Sequence, residues 1–165
     1  MRPGATADYV YGGLGYERLH RLPGDFTLSA KVDLQWSDSR LLASEQFGAG
    51  GPSSVRGFES REVSGDSGLF VSNEIRTPAY AMPFTGNFDA GKLQLLAFLE
   101  YGWVETQSPL PAESHDEELS SAGIGLRYTF SNHVSLEADY GWQMTGRDFD
   151  SGRDGKAHVN LLLSF

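Results

Sequence analysis

Residues 26–37 read FTLSAKVDLQWS, and their reading decides the fold. Phe26, Leu28, Ala30, Val32, Leu34 and Trp36 alternate without a break with Thr27, Ser29, Lys31, Asp33, Gln35 and Ser37. A period of two places successive side chains on opposite faces of an extended strand. The run is about twice the usual globular strand of roughly 5–6 residues. The pattern recurs along the chain. Leu93, Leu95, Ala97, Leu99, Tyr101 and Trp103 lie opposite Gln94, Phe98, Glu100 and Gly102, while Ala122, Ile124, Leu126, Tyr128 and Phe130 lie opposite Arg127 and Thr129. Val134, Leu136, Ala138, Tyr140 and Trp142 face away from Ser135, Glu137 and Asp139; Val159, Leu161, Leu163 and Phe165 form a last apolar row. Two weaker segments complete the set: a Gly-rich, aromatic stretch from Tyr9 to Leu22, and Gly68 to Thr77, with Leu69, Val71 and Ile75 opposite Ser72, Glu74 and Arg76. The expectation is an all-β fold of seven strands.

The connections alternate in length. Leu22–Asp25 and Ser131–Asn132 are tight turns, whereas 38–67, 106–120 and 144–156 are long and polar; the 79–91 link is longer than its end of the sheet should need. Two architectures fit such strands. A soluble barrel buries its apolar face inside, and a transmembrane barrel turns that face outward around a polar lumen. Strand length favours the membrane, where about 9–11 residues are needed to cross. Aromatics at the ends of the apolar faces (Trp36, Tyr101, Trp103, Tyr140, Trp142 and Phe165) suit interfacial belts. The opposite face carries Lys31, Asp33, Glu74, Arg76, Glu100, Arg127, Glu137 and Asp139, which suits a wet lumen. An antiparallel transmembrane β-barrel in a bacterial outer membrane is the reading these features favour.

Composition bounds the chemistry. Across 165 residues the formal charge is −9, which speaks against a nucleic-acid partner, since phosphate binding needs clustered Lys and Arg. There is no cysteine, so disulfides, thiolate metal sites and thiol nucleophiles are excluded. No apolar run approaches the roughly 18 residues of a membrane helix, and the first residues, Met1-Arg2-Pro3-Gly4-Ala5, offer no apolar signal segment. Gly86-x-x-x-x-Gly91-Lys92 imitates a phosphate-binding loop but lacks the following Ser or Thr and precedes a strand. Residues 148–155 have the carboxylate spacing of a calcium loop without its closing bidentate Glu. His20, His115, His133 and His158 share no ligand spacing, and no nucleophile-elbow pattern supports a hydrolase. Neither an enzyme nor a metal or cofactor site is expected.

One loop is unlike the others. Residues 46–78 read QFGAGGPSSVRGFESREVSGDSGLFVSNEIRTP, with glycines crowded around a single Val55-Arg56-Gly57-Phe58. Glycine allows backbone angles other residues resist and lets a backbone approach a surface closely, so the tip is expected to fit into something. Gly50-Gly51-x-x-Ser54-Val55-Arg56-Gly57-Phe58, then Gly65-Asp66-x-Gly68 and a strand ending Asn73-Glu74-Ile75-Arg76, closely resembles the transporter subunit of two-partner secretion. This family (TpsB, the haemolysin activation/secretion ShlB/FhaC/HecB type) shares a superfamily with the BamA assembly proteins. The resemblance covers nearly the whole chain and makes it the last seven strands of a sixteen-stranded barrel.

The resemblance implies further expectations. Loop 38–67 is the family's sixth extracellular loop, folded back into the lumen, and its arginine meets an acid in a Phe-x-Asp-x-Gly pattern. Here that pattern reads Phe98-Leu99-Glu100-Tyr101-Gly102, with Glu in place of Asp. Glu100 is therefore the expected partner of Arg56, in a fork of two parallel hydrogen bonds, and Glu74 is the second choice. The tight turns are periplasmic, and the strand Val159, Leu161, Leu163, Phe165 drives insertion. The implied function is a pore that moves a large haemolysin- or adhesin-type partner, in an extended state, across the outer membrane. Its surroundings are outer-membrane lipid, and the barrel-assembly machinery inserts it. Assembly of other outer-membrane proteins, as in BamA, and a passive porin-like barrel are the alternatives. Family members also carry a signal peptide, a plug helix, two periplasmic domains and nine earlier strands, and seven strands do not close a bacterial barrel. The chain is accordingly expected to be a fragment.

Overall fold

The computed structural model describes residues 9–82, 91–111, 113–130, 134–145 and 155–164. The alternating segments form the strands β1 (Tyr11–Arg21), β2 (Thr27–Ser37), β5 (Ser67–Arg76), β7 (Gly91–Glu105), β8 (Asp116–Phe130), β9 (Val134–Thr145) and β10 (Gly155–Leu163). They pair antiparallel in the order β1-β2-β5-β7-β8-β9-β10. Each strand neighbours the next of the set, as short connections favour. Three short strands add to it: β3 (Phe47–Ala49) and β4 (Val63–Gly65) pair with each other within the long loop, and β6 (Tyr80–Met82) pairs with the start of β7. Among the described residues the sheet is open, with β1 and β10 at its edges.

Several boundaries differ from the sequence expectation. β8 begins at Asp116, inside the expected 106–120 loop, because Asp116, Glu117 and Glu118 pair with Glu105, Val104 and Trp103. A ladder is made by backbone groups, so acidic side chains do not end it when both faces can reach water. β10 likewise starts at Gly155, within the expected 144–156 loop. The long 79–91 link is partly strand: Tyr80 and Met82 pair with Leu93 and Gly91, prolonging the β5 side of the hairpin past Pro78. The mimic of a phosphate loop ends with Gly91 and Lys92 inside β7; its Gly86, the carboxylates at 148–154, His133 and Phe165 lie outside the described residues.

The two faces of the sheet differ sharply. In β7, Leu99 is 54% exposed while its neighbour Glu100 is 4% exposed. Leu14, Leu34, Trp36, Ile75, Leu95, Ile124, Tyr140, Trp142, Val159 and Leu161 share the exposure of Leu99. A contiguous apolar face of that size needs an apolar environment. The polar face is covered in part, by the loop 38–66 over β5, β7 and β8. Phe70, Val104 and Leu119 on the sheet meet Ala49, Val55, Phe58 and Val63 of the loop in one dry cluster. The charged residues of this face leave room for a wet lumen, and the loop expected to fold into that lumen lies on it. Part of that face is apolar, and the loop seals it.

Candidate functional site

The loop tip is shaped by its glycines. Gly50 and Gly51 have φ of 109° and 98°, a region that side chains resist. The Gly51 and Val55 backbones close a tight turn, with Gly51 N donating to Val55 O at 3.1 Å and Ser54 N to Gly51 O at 3.1 Å. Val55 and Phe58 then drop into the apolar cluster, both almost wholly buried. Arg56, between them, points to the charged part of the sheet.

Strand register explains why there is room. Across the sheet Glu74, Phe98, Gly123, Gly141 and Lys156 occupy one row of paired positions. Ser72, Glu100, Ser121 and Gln143 occupy the next. Where the first row holds Gly141, the Arg56–Gly57 backbone lies directly on the sheet. A β-carbon on Gly141 would stand 2.6 Å from the Arg56 carbonyl oxygen, and one on Gly57 would stand 2.7 Å from the Gly141 carbonyl oxygen. Gln143 Nε2 donates to the Gly57 carbonyl at 2.7 Å, and the Gly57 N–H reaches His158 Nε2 at 3.3 Å. Lys156 pairs with Glu59 beyond it.

Arg56, 5% exposed, is met by three carboxylates. Its Nε and Nη2 donate to Glu100 Oε1 at 2.9 and 2.6 Å, and its backbone N–H donates to Glu100 Oε2 at 2.7 Å. Nη2 also lies 2.8 Å from Glu74 Oε2, and Nη1 lies 3.5 Å from Asp139 Oδ1. The face of Phe98 is under the guanidinium, with Cζ 3.5 Å from the ring centroid, a cation–π arrangement. Two further arginines balance the charge. Arg76 Nε donates to Glu74 at 2.5 Å, and Arg127 grips Asp139 through two bonds of 2.8 and 2.9 Å. Burial opposes the charge on Arg56. The Glu100 hydrogen bond, with the charges of Glu100, Glu74 and Asp139, outweighs burial and leaves its pKa above the ordinary arginine value.

Both expected partners are therefore present, and Asp139 joins them. The expected fork is not: the two guanidinium nitrogens share one Glu100 oxygen, and the second oxygen takes a backbone N–H. The longer Glu side chain makes this possible, since it brings one carboxylate alongside both the backbone and the head of the arginine. Sequence reasoning placed Phe98 on the charged parity without giving it a role, and passed over Gly141. Each carried a signal, because an aromatic ring or a glycine on the charged parity of a strand leaves that row ready for a covering group. The Gly65-Asp66-x-Gly68 motif sits away from Arg56, at the foot of the loop. The terminal residues Val159, Leu161 and Leu163 line the exposed apolar face of β10 and take no part in the cluster.

Long antiparallel strands with one exposed apolar face, and a loop arginine seated among carboxylates on the other, define part of the wall of an outer-membrane β-barrel. The model of the haemolysin secretion/activation protein family ShlB/FhaC/HecB matches residues 5–128, and the chain belongs to that family of outer-membrane transporters. It is similar to the outer membrane transporter CdiB of Escherichia coli, 37% identical over 101 residues, covering 61% of this chain and 16% of the relative. The CdiB of Dickeya dadantii strain 3937 is 43% identical over 53 residues, covering 32% of this chain and 10% of the relative. The solved structure of CdiB from Escherichia coli shares the fold with a TM-score of 0.72 at 24% identity, over 98% of this chain and 28% of the other. The chain thus spans a minor part of the length of each relative.

Proposed function

We propose that residues 1–165 are the C-terminal part of an outer-membrane pore that moves a large secreted partner, of haemolysin or adhesin type and in an extended state, across the membrane. In this reading the polar face lines the lumen, loop 38–67 folds into it from the extracellular end, and Arg56 is its anchor. The exposed apolar face lies against lipid, and the last strand, β10, carries the signal that the barrel-assembly machinery reads on insertion. The observation that supports the reading best is the burial of Arg56 among Glu100, Glu74 and Asp139 on the face opposite the exposed apolar residues.

The test is Arg56→Ala in the full-length transporter, scored for secretion of the partner and, separately, for heat-modifiable migration of the inserted barrel. Loss of secretion with normal migration is expected. Normal secretion with the loop undocked would sink the anchor's role. A defect in the insertion of other outer-membrane proteins would instead indicate an assembly factor.

A further inference from the structure

The foot of the loop carries a second set of buried polar contacts, remote from Arg56, and the translocation reading leaves them without a role. Asp66 is fully buried. Its Oδ1 accepts the Leu41 N–H at 2.9 Å and its Oδ2 accepts the Gln107 N–H at 2.8 Å. One carboxylate thus joins three segments: the rising stem of loop 38–66, its descending stem, and the loop 106–115. The Asp66 backbone adds to this, its N–H donating to Glu105 O at 2.7 Å and its carbonyl accepting from Gln35 Nε2 at 3.1 Å. Both glycines of the motif serve the same spot. A β-carbon on Gly65 would stand 2.6 Å from the Glu105 carbonyl oxygen, and one on Gly68 would occupy the place of the Phe47 ring.

Beside it lies the fork that was expected of Arg56. Arg40, 6% exposed, donates from Nη1 and Nη2 to the two oxygens of Glu113 at 2.8 and 2.6 Å, and from Nη1 to the Ser108 carbonyl at 3.1 Å. Parallel bonds of this kind fix orientation as well as distance. Glu113 also closes its own turn, accepting the Leu110 N–H at 3.0 Å.

We propose that Asp66 and the Arg40–Glu113 pair form a clasp by which loop 106–115 holds both stems of loop 38–66, independently of Arg56. Asp66, Arg40 and Glu113 are then positioning residues: they set where the tip is delivered and touch nothing that passes the tip. The clasp stands on this geometry alone. Only its effect on secretion rests on the translocation reading.

The test uses the full-length transporter, purified in detergent, with amide hydrogen exchange followed in three peptides: the rising stem around Leu41, the loop around Gln107, and the tip at 54–58. In Asp66→Asn one acceptor oxygen becomes an amide nitrogen, which cannot accept, so at least one of the Leu41 and Gln107 amides loses its acceptor and should exchange at least tenfold faster, in keeping with a lost charge-assisted bond. Arg56→Ala should speed exchange at the tip and leave the Leu41 and Gln107 peptides unchanged. Wild-type exchange at both of these peptides in Asp66→Asn overturns the clasp. So does stem opening in Arg56→Ala, which would make stem and tip one unit. If Asp66→Asn fails to insert, Arg40→Lys decides, since it keeps the charge and loses the fork. Faster exchange at 105–110 then supports the clasp, and unchanged exchange refutes it. Secretion that survives Arg56→Ala while the exchange results hold would fault the anchor's role in translocation and leave the clasp standing.

Discussion

The loop 38–66 is attached to the sheet at its tip and at its foot, and the two attachments use charge differently. At the tip, three arginines and three carboxylates interlock: Arg56, Arg76 and Arg127 with Glu74, Glu100 and Asp139. At the foot, single carboxylates each do a local task, Asp66 by accepting two backbone N–H groups and Glu113 by meeting Arg40 head on. Interlocked groups share partners, so their energies do not add. Local caps are separable. The tip should therefore respond to substitution unevenly, according to which member is left without a partner.

The largest effect is expected from Arg56→Ala. Glu74 keeps Arg76 and Asp139 keeps Arg127, but Glu100 is left with the Ser72 hydroxyl, at 3.2 Å, and the backbone N–H of residue 56. A buried carboxylate stripped of its cation costs about 3–5 kcal/mol. The docked tip should thus be lost, as seen in protease access to residues 54–58 on intact cells. Glu100→Gln should cost less, because Glu74 and Asp139 still face Arg56. Equal costs for the two would show that the cluster does not share its charges.

Gly141→Ala comes next, and it changes no charge. The added methyl would press on the Arg56 carbonyl at 2.6 Å, and overpacking of this kind typically costs about 1–3 kcal/mol. Its effect on tip exposure should be insensitive to salt. A strong salt dependence would mean that the methyl acts through the ionic cluster and not through contact.

Much of this was legible in the sequence. Alternation gave five of the seven long strands outright, since a strand with one covered and one exposed face admits only one phase, and weaker patterns at Tyr9–Leu22 and Gly68–Thr77 gave the other two. The same parity put Glu74, Glu100 and Asp139 on one side before any contact was known. The pairing of Arg56 with Glu100 came from resemblance; its hydrogen-bond pattern differed, and Asp139 and the Phe98 ring were added to it. Other features could not be read. Arg40 and Glu113 stand 73 residues apart in two polar loops with no periodic pattern, so nothing local marks them as partners. The β3–β4 ribbon has three-residue strands, too short to show a period. The early start of β8 was hidden because its acidic residues resemble a loop, while the ladder that holds them is made by the backbone.

Asp139→Asn tests how far sharing extends. Asp139 is bonded closely by Arg127 and only distantly, at 3.5 Å, by Arg56. An asparagine keeps one acceptor for Arg127, which also has Glu137 at 3.8 Å. The expected cost to tip docking is about 1 kcal/mol, near that of a typical net hydrogen bond. A cost as large as that of Arg56→Ala would make Asp139, and not Glu100, the principal seat of the arginine.

The smallest effect is expected where the tip meets β10. Lys156 pairs with Glu59, yet the Glu59 side chain is 65% exposed and Lys156 is 36% exposed. Two long side chains held in water gain little Coulomb energy and lose rotamer freedom, so such pairs contribute about 0–1 kcal/mol. Lys156→Ala should therefore leave protease access to the tip nearly unchanged, and what change there is should vanish in high salt. Gln143→Ala is its counterpart on the neighbouring strand. It removes a bond of 2.7 Å to the Gly57 carbonyl, in the part-buried space under the loop. That loss should exceed the loss of the ion pair and persist in salt, because the carbonyl is left without its donor. If Lys156→Ala proves the more damaging of the two, the loop is held to β10 by charge at its rim. In that case, the close backbone contact over Gly141 matters less than its geometry implies.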